Sequence, residues 1–485
     1  MRRLWWGTAG VTLAYATLLA TGDLDHHRAL LGAVMVPFWV VSLCVIAWAT
    51  RGPAHLGRPV VTMALVAAVV QLPGLFVPPR DSSDAYRYVW DGRVQLSGTS
   101  PYRFVPLDDR LAALRDPALF PGLGPRQRSG VRTEPLPTSR ADLLVRARDD
   151  PRTLINRPAV PTAYPPVAEA WFATVAALTP WAAGTLGLQL GSAILAIAIA
   201  AALAGWLSRR GRDPREALWW AWCPSVVITA GNSAHVDVLA AALMVAAALV
   251  AGRVTTPRTL TAAGALLGLA AGVKLLPLVV APALMPLHRN GYRRTLIAPA
   301  AALVTLGLVY LPHLLTAGSL VEGYLPGYLL EESGQNRAAL LRLFIPVCAV
   351  PYAIAGALAV GAVWALRRAS VGDAAGGATV LFGVLILATT PSYPWYSVPL
   401  VALAVPSGRF EWLAVAFAGW IAYAGVRVPP VSGFAFAAAA LAVAAAWGLR
   451  RRNEQGPGKP RVDPPVDNHC ETASPPGIIV ASRDR

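Results

Sequence analysis

Charge is scarce in this sequence. Asp, Glu, Lys and Arg make up 14% of it against 55% hydrophobic residues, and the mean hydropathy is positive. A soluble chain usually carries about 25% charge, so an ordinary water-soluble fold is excluded. Cysteine is scarce too. Cys44, Cys223, Cys348 and Cys470 are scattered, with no pair at metal or redox spacing, which argues against a disulfide scaffold or a zinc site. Three of them fall in apolar runs and are expected as ordinary core residues. There is no phosphate-cradling Gly-rich loop, zinc spacing or serine-nucleophile elbow. No internal repeat is visible, and repeats are the usual mark of transporters.

What the chain has is length in apolar runs. Stretches of roughly 17–25 residues recur, enough to cross a hydrocarbon core of about 30 Å. Fourteen runs read as spans, from 4–21 to 431–449, with short ones at 214–230, 274–288 and 394–406. The expected fold is all-α, a polytopic transmembrane helix bundle of about 12–14 spans. It occupies 1–449 as one membrane-embedded domain, followed by a polar tail, 450–485, expected to be disordered and cytoplasmic. Met1-Arg2-Arg3 followed by an apolar stretch without a small-residue cleavage site reads as a retained first span.

The net charge of +16 does not mark a nucleic-acid binder, because most basic residues lie in short loops where they orient spans. Arg2-Arg3, Arg51/Arg58, Arg209-Arg210/Arg212, Arg253/Arg258, Arg289/Arg293-Arg294, Arg367-Arg368 and Arg450 to Arg452 all fall on one side if both termini are cytoplasmic. The plasma membrane is the expected location, with the long loop 78–184 extracytoplasmic. That loop is rich in arginine, but long loops translocate largely regardless of charge. Its apolar segment 167–180 is too short to span and reads as an interfacial or re-entrant helix. Short surface helices are expected near 106–118 and 139–149.

The unusual residues gather on the outer side. Asp81-Ser82-Ser83-Asp84-Ala85-Tyr86-Arg87-Tyr88-Val89-Trp90-Asp91-Gly92 places three carboxylates among aromatics, a combination suited to sugars, since carboxylates bind hydroxyls and ring faces stack on pyranose C–H groups. The same stretch fits a solvated helix start with Asp81 as its cap and the aromatics at the interface. Asn232, Ser233, His235 and Asp237 sit where one run ends and the next begins, and ionisable residues entering a membrane segment usually face a cavity; the alternative is a polar turn with Asp237 at a helix N-terminus. Lys274, alone between apolar runs, suits a phosphate or simple snorkelling. Arg337 and Arg342 offer a similar basic pair. Tyr164-Pro165-Pro166 with Glu169, and Pro391-Ser392-Tyr393-Pro394-Trp395-Tyr396, are aromatic-proline turns, each ordinary as a membrane belt and together fit to line a cavity.

At these residues the chain resembles the GT-C superfamily of polyprenol-phosphate-sugar-dependent glycosyltransferases. Within it, the chain resembles actinobacterial polyprenol-phosphomannose-dependent α-1,6-mannosyltransferases. The resemblance runs over about residues 60–450. It is carried by Asp84 to Tyr88, Trp90 to Gly92, Gly98 with Pro101-Tyr102, Tyr164 to Pro166, Asn232 to Asp237, Lys274 to Pro277 and Tyr393 to Tyr396. It implies transfer of a sugar, mannose above others, from a polyprenyl-phosphate donor to a glycan or lipoglycan acceptor, by inverting single displacement. By matching position Asp84 is the implied catalytic base, with Asp81 the rival. Lys274 or Arg337 would face the departing phosphate, and Tyr86, Arg87, Asp91, Tyr164, Asn232, His235, Asp237, Tyr393, Trp395 and Tyr396 would bind substrate. No cofactor is implied, though clustered carboxylates leave a divalent metal open. The rival readings are a transporter or lipid-linked-sugar flippase, an arabinofuranosyl or glucosyl transferase of the same superfamily, and a structural membrane protein.

Overall fold

The computed structural model describes residues 1–52, 56–124, 126–252, 256–287, 292–332, 337–425 and 429–455. Met1–Val443 form one compact unit and Ala444–Arg485 a second. Of the second, the described residues up to Gln455 are helical. The expected tail therefore starts inside a helix; its remainder, with Cys470, lies outside the described residues, as do Arg253 and Arg289.

The chain is all-α. A hairpin of α1 (Arg2–Ala20) and α2 (Arg28–Ala49) comes first. It is followed by α3 (Pro59–Gln71), which tightens into a 3-10 stretch, Leu72–Phe76. The long excursion holds α4 (Asp84–Leu96), a 3-10 turn at Asp109–Leu114, α5 (Arg140–Arg146) and α6 (Pro166–Leu178). Next come α7 (Leu186–Arg209), the short α8 (Leu218–Ala221) and α9 (Pro224–Gly231), α10 (Asp237–Ala251) and α11 (Pro257–Val273). Then follow α12 (Tyr292–Ala317), α13 (Leu325–Glu332) and α14 (Ala339–Arg342). The chain goes on through α15 (Val350–Ala369), α16 (Ala374–Thr389), α17 (Val398–Ser407), α18 (Leu413–Ala424) and α19 (Pro429–Gln455).

Among the described residues, six segments are long and apolar enough to cross a membrane: Arg28–Ala49, Pro59–Phe76, Leu186–Arg209, Tyr292–Glu332, Val347–Ala369 and Pro430–Arg452. Four shorter apolar helices accompany them, at Pro166–Leu178, Asp237–Ala251, Ala374–Thr389 and Phe410–Ala424. Several expected spans are broken by proline, which lacks an N–H and clashes with the preceding turn. The run 214–230 splits at Pro214 and Pro224 into a 3-10 turn, α8 and α9. The run 274–288 is a 3-10 helix, Leu276–Leu284, carrying Pro277 and Pro282. The run 394–406 opens with a 3-10 turn at Pro394 before α17 begins.

Small residues set the closest helix contacts. Gly264 and Gly268, four apart on α11, present bare backbone to the Ala298 and Ala302 carbonyls of α12, where any Cβ would collide. Such spacing lets membrane helices approach and pack by dispersion forces. The excursion is anchored by rings. Tyr88 stacks on Phe172 with centroids 4.2 Å apart and meets Tyr164 edge-on at 4.9 Å, while Gly92 lets α4 lie directly on the α6 backbone. Of the cysteines expected as core, only Cys223 is buried; Cys44 and Cys348 are exposed. In a membrane bundle an apolar run turns toward lipid as readily as inward.

The two ends of the bundle differ in chemistry. At one, Arg3 donates to the Arg51 carbonyl (3.2 Å), Arg215 to those of Ala49 and Gly52 (3.0 and 2.7 Å), and Arg212 to that of Val405 (3.1 Å). At the other, the N–H groups of Leu24 and Asp25, in the α1–α2 turn, donate to the Arg80 carbonyl (2.8 and 2.9 Å). The 22 residues of α2 separate these ends by about 33 Å at about 1.5 Å per residue.

Candidate active site

At the end that carries the α1–α2 turn, a cavity of about 900 Å³ opens among the excursion, α13, the start of the 3-10 stretch after α11, and the turn at 391–396. Asp84, the first residue of α4, lines it. Its Oδ1 accepts a 2.5 Å hydrogen bond from Asn156, and its Oδ2 lies 3.4 Å from His235 Nδ1. His235 is fully buried and lies against Trp395, ring centroids 3.8 Å apart. Trp395 in turn stacks with Tyr393 at 4.8 Å. Burial raises the proton affinity of Asp84, but the His235 ring, Arg157 and Lys274 outweigh it and hold the carboxyl well below the usual carboxylate range. The helix N-terminus adds its own positive field. Asp84 is a carboxylate throughout the physiological pH range.

Lys274 stands where α11 ends and the chain turns extended before the 3-10 helix. It is one of two lysines in the sequence. Its Nζ donates to both oxygens of Asp237, at 2.8 and 2.7 Å, and lies 4.2 Å from the Tyr396 ring centre. Asp237 is the first residue of α10, so the start of one helix and the end of the next bring the pair together. Tyr396 continues the wall through a 2.8 Å hydroxyl contact with Tyr328.

A second set of ion pairs faces them. Arg157 pairs with Glu331 at 2.7 Å and donates to the Tyr393 hydroxyl at 2.9 Å, and Tyr324 donates to the other Glu331 oxygen at 2.8 Å. Arg337 pairs with Glu332 at 2.7 Å, and Ser392 donates to the same carboxylate at 2.8 Å. The backbone is strained around these groups. Arg157, Ala234, Ala338 and Thr390 hold φ of 46°, 54°, 54° and 35°, a region that side chains with a Cβ rarely occupy. Such strain persists where surrounding packing over-determines it, and it concentrates at functional sites.

The residues singled out from the sequence divide cleanly. Asp84, Arg87, Tyr164, Lys274, Arg337, Tyr393, Trp395 and Tyr396 line the cavity, while His235 and Asp237 stand directly behind it. Four others are placed elsewhere. Asp81 precedes α4 and caps nothing; it is fully buried, bonded to Ser233, and burial lifts its proton affinity. Asp91 is two turns into α4 and turned inward onto Arg87, 3.0 Å away. Asn232 serves the backbone, accepting from the Arg80 N–H (2.8 Å) and donating to the Pro78 carbonyl (3.0 Å). Tyr86 packs against the hydrophobic core of the excursion. Reading the sequence missed Asn156, Arg157, Glu331, Glu332, Asp25 and Arg28. Glu331 and Glu332 carried a signal, two acids beside an apolar run; Asn156 and Arg157 sit in a polar loop where such residues are ordinary. Among the described residues no group of three or more His, Cys, Asp or Glu is placed to hold a metal ion.

The fold and the site together define a multi-pass membrane protein with a cavity lined by charged and aromatic side chains near the end of its bundle. The profile of Glycosyltransferase family 87, a family of GT-C type, matches residues 162–391 and indicates a glycosyltransferase. The match takes in Tyr164, His235, Asp237, Lys274 and Arg337, and leaves Asp84 and Tyr393 to Tyr396 outside it. No curated protein and no solved structure matches the chain.

Proposed function

We propose that this protein transfers a sugar from a polyprenyl-phosphate donor to a glycan or lipoglycan acceptor, with Asp84 as general base. The observation that carries the reading is that Asp84, ionised and held by Asn156, opens onto the same cavity as Lys274. The acceptor hydroxyl would give its proton to an Asp84 oxygen while its own oxygen bonds to the anomeric carbon. The bond from that carbon to phosphate oxygen breaks in the same step, inverting the centre, and polyprenyl phosphate leaves with the bonding electrons. Lys274, with Arg337, would stabilise the charge on the departing phosphate. His235 and Asn156 position the base. Mannose is the proposed sugar on the strength of the sequence resemblance. The arginine-rich end is read as cytoplasmic, which puts the α1 N-terminus inside and the cavity extracytoplasmic.

The test is purified protein in detergent with a panel of polyprenyl-phosphomannose, -glucose and -arabinofuranose, and mannose-terminated acceptors, read by mass spectrometry. Mannosylated acceptor is the expected product. A glucosylated or arabinosylated product moves the sugar assignment, and no product from any donor overturns the transferase reading.

A further inference from the structure

The α1–α2 turn brings two charged groups into the cavity that neither the family match nor the mechanism above uses. Asp25 and Arg28 line the cavity and pair at 2.5 Å, each side chain about a fifth to a quarter exposed. The turn is docked by backbone: the N–H groups of Leu24 and Asp25 both donate to the Arg80 carbonyl, just ahead of the Asp81–Asp84 segment. The turn's own N–H groups at Asp25 and His26 are satisfied by Asp23 (3.0 and 3.3 Å), and His27, at the N-cap of α2, makes no side-chain cap bond. The Asp25 carboxylate is thus not needed to hold the turn. Arg28 is fixed by lying 3.6 Å above the Tyr423 ring, whose hydroxyl donates to the Asp81 carbonyl at 3.0 Å. Held this way, Arg28 keeps one guanidinium nitrogen, Nη1, buried and without a hydrogen-bond partner.

We infer that Asp25 and Arg28 form the acceptor-sugar subsite of this cavity. A carboxylate only accepts hydrogen bonds and a guanidinium only donates them, whereas a sugar hydroxyl does both. A fixed pair of the two, partly exposed in the cavity wall, therefore suits neighbouring hydroxyls of one sugar ring. Asp25 and Arg28 line the same cavity as Asp84 and Lys274. The inference rests on the transferase reading for its orientation. If Lys274 faces the donor phosphate, the hydroxyl to be deprotonated approaches Asp84 from the α1–α2 turn. The pair would hold that sugar while the base works.

Two measurements test it on the full-length protein in detergent. In the first, transfer from polyprenyl-phosphomannose to a methyl mannobioside is followed for wild type, Asp25→Asn and Arg28→Lys. Asp25→Asn is expected to raise the acceptor KM at least tenfold and leave the donor KM within twofold, with Arg28→Lys intermediate. Equal rises in both constants, or an unchanged acceptor KM, overturn the subsite. In the second, tryptophan fluorescence is titrated with the methyl mannobioside without donor, so that no turnover is needed. Wild type is expected to respond, and Asp25→Asn to bind at least tenfold more weakly. Binding that is lost in the variant while no donor supports transfer would sink the transferase reading and spare the subsite. Loss of a monodisperse, cooperatively melting protein in both variants would show the pair to be scaffold and overturn the subsite.

Discussion

His235 lies flat against Trp395, the two rings 21° from parallel, while its Nδ1 reaches to 3.4 Å from Asp84. One buried imidazole thus ties the turn before α10 to the 391–396 turn and to the first residue of α4. The carboxylate it touches is the proposed base.

Asp84→Asn should keep a folded, membrane-inserted protein and lower kcat by about 10²–10⁴-fold, the usual worth of a positioned base. Asp81→Asn should retain most of the turnover, since that side chain is buried on Ser233 away from the cavity. Single-turnover transfer assays check both. Near-normal rates for Asp84→Asn would return the role to Asp81 or remove it.

Lys274→Ala removes more than a phosphate ligand. It leaves Asp237, whose side chain is 2% exposed, without its partner, which typically costs about 3–5 kcal/mol for a buried pair. Thermal melting in detergent should show that loss. The double variant Lys274→Met with Asp237→Leu should recover much of the stability yet keep a raised donor KM. Recovery of normal donor use would make the lysine structural.

The acceptor KM should depend on pH through Asp25. Burial, with the charges of Asp81 and Asp84 adding to it and Arg28 and His26 opposing, raises its carboxyl to about 6; the Tyr423 hydroxyl also faces it, 3.5 Å away. Its charged form is present above that value and is lost as pH falls through it, to roughly a tenth at pH 5. The acceptor KM should rise correspondingly below pH 6, and the limb should vanish in Asp25→Asn. The stability term has the opposite sense. A carboxyl raised on folding favours the folded state at low pH, and that contribution is lost as pH rises through about 6. A limb of equal size in wild type and variant would assign the titration elsewhere.

Gly268→Val should loosen the α11–α12 contact, where a side chain meets the Ala302 carbonyl. Overpacking of this kind costs about 1–3 kcal/mol, read as a lower melting temperature in detergent. An unchanged melt would show that the helices separate without cost.

Reporter fusions after Leu107 and Thr256 should read extracytoplasmic and cytoplasmic respectively. The reverse pattern would move the cavity to the other side and end the use of an extracytoplasmic lipid-linked donor.

Much of this was legible because charge inside an apolar sequence is conspicuous. Lys274 and Asp237 each interrupt hydrophobic runs, and the structure pairs them. Asp84 could be picked out, but not separated from Asp81, because spacing in a line does not tell which carboxylate begins a helix and which is folded under it. Asp91 was misleading for a related reason: its partner Arg87 lies one turn earlier, and an ion pair within one helix needs no substrate. Continuity of the helices was less legible: Pro214, Pro224 and Pro277 break runs whose composition alone reads as one unbroken helix. Asn156, Arg157 and the α1–α2 turn join the site only through long-range folding, to which no local pattern is sensitive.

The depressed proton affinity of Asp84 has a bearing on timing. So weak a base gains little by taking a proton from an intact alcohol, whose own hold on hydrogen is far stronger. The hydroxyl becomes acidic enough only once its oxygen has begun to share electrons with the sugar carbon. In the proposed transfer, cleavage from phosphate would then run ahead of deprotonation, and the proton, once received by Asp84, would pass readily to water.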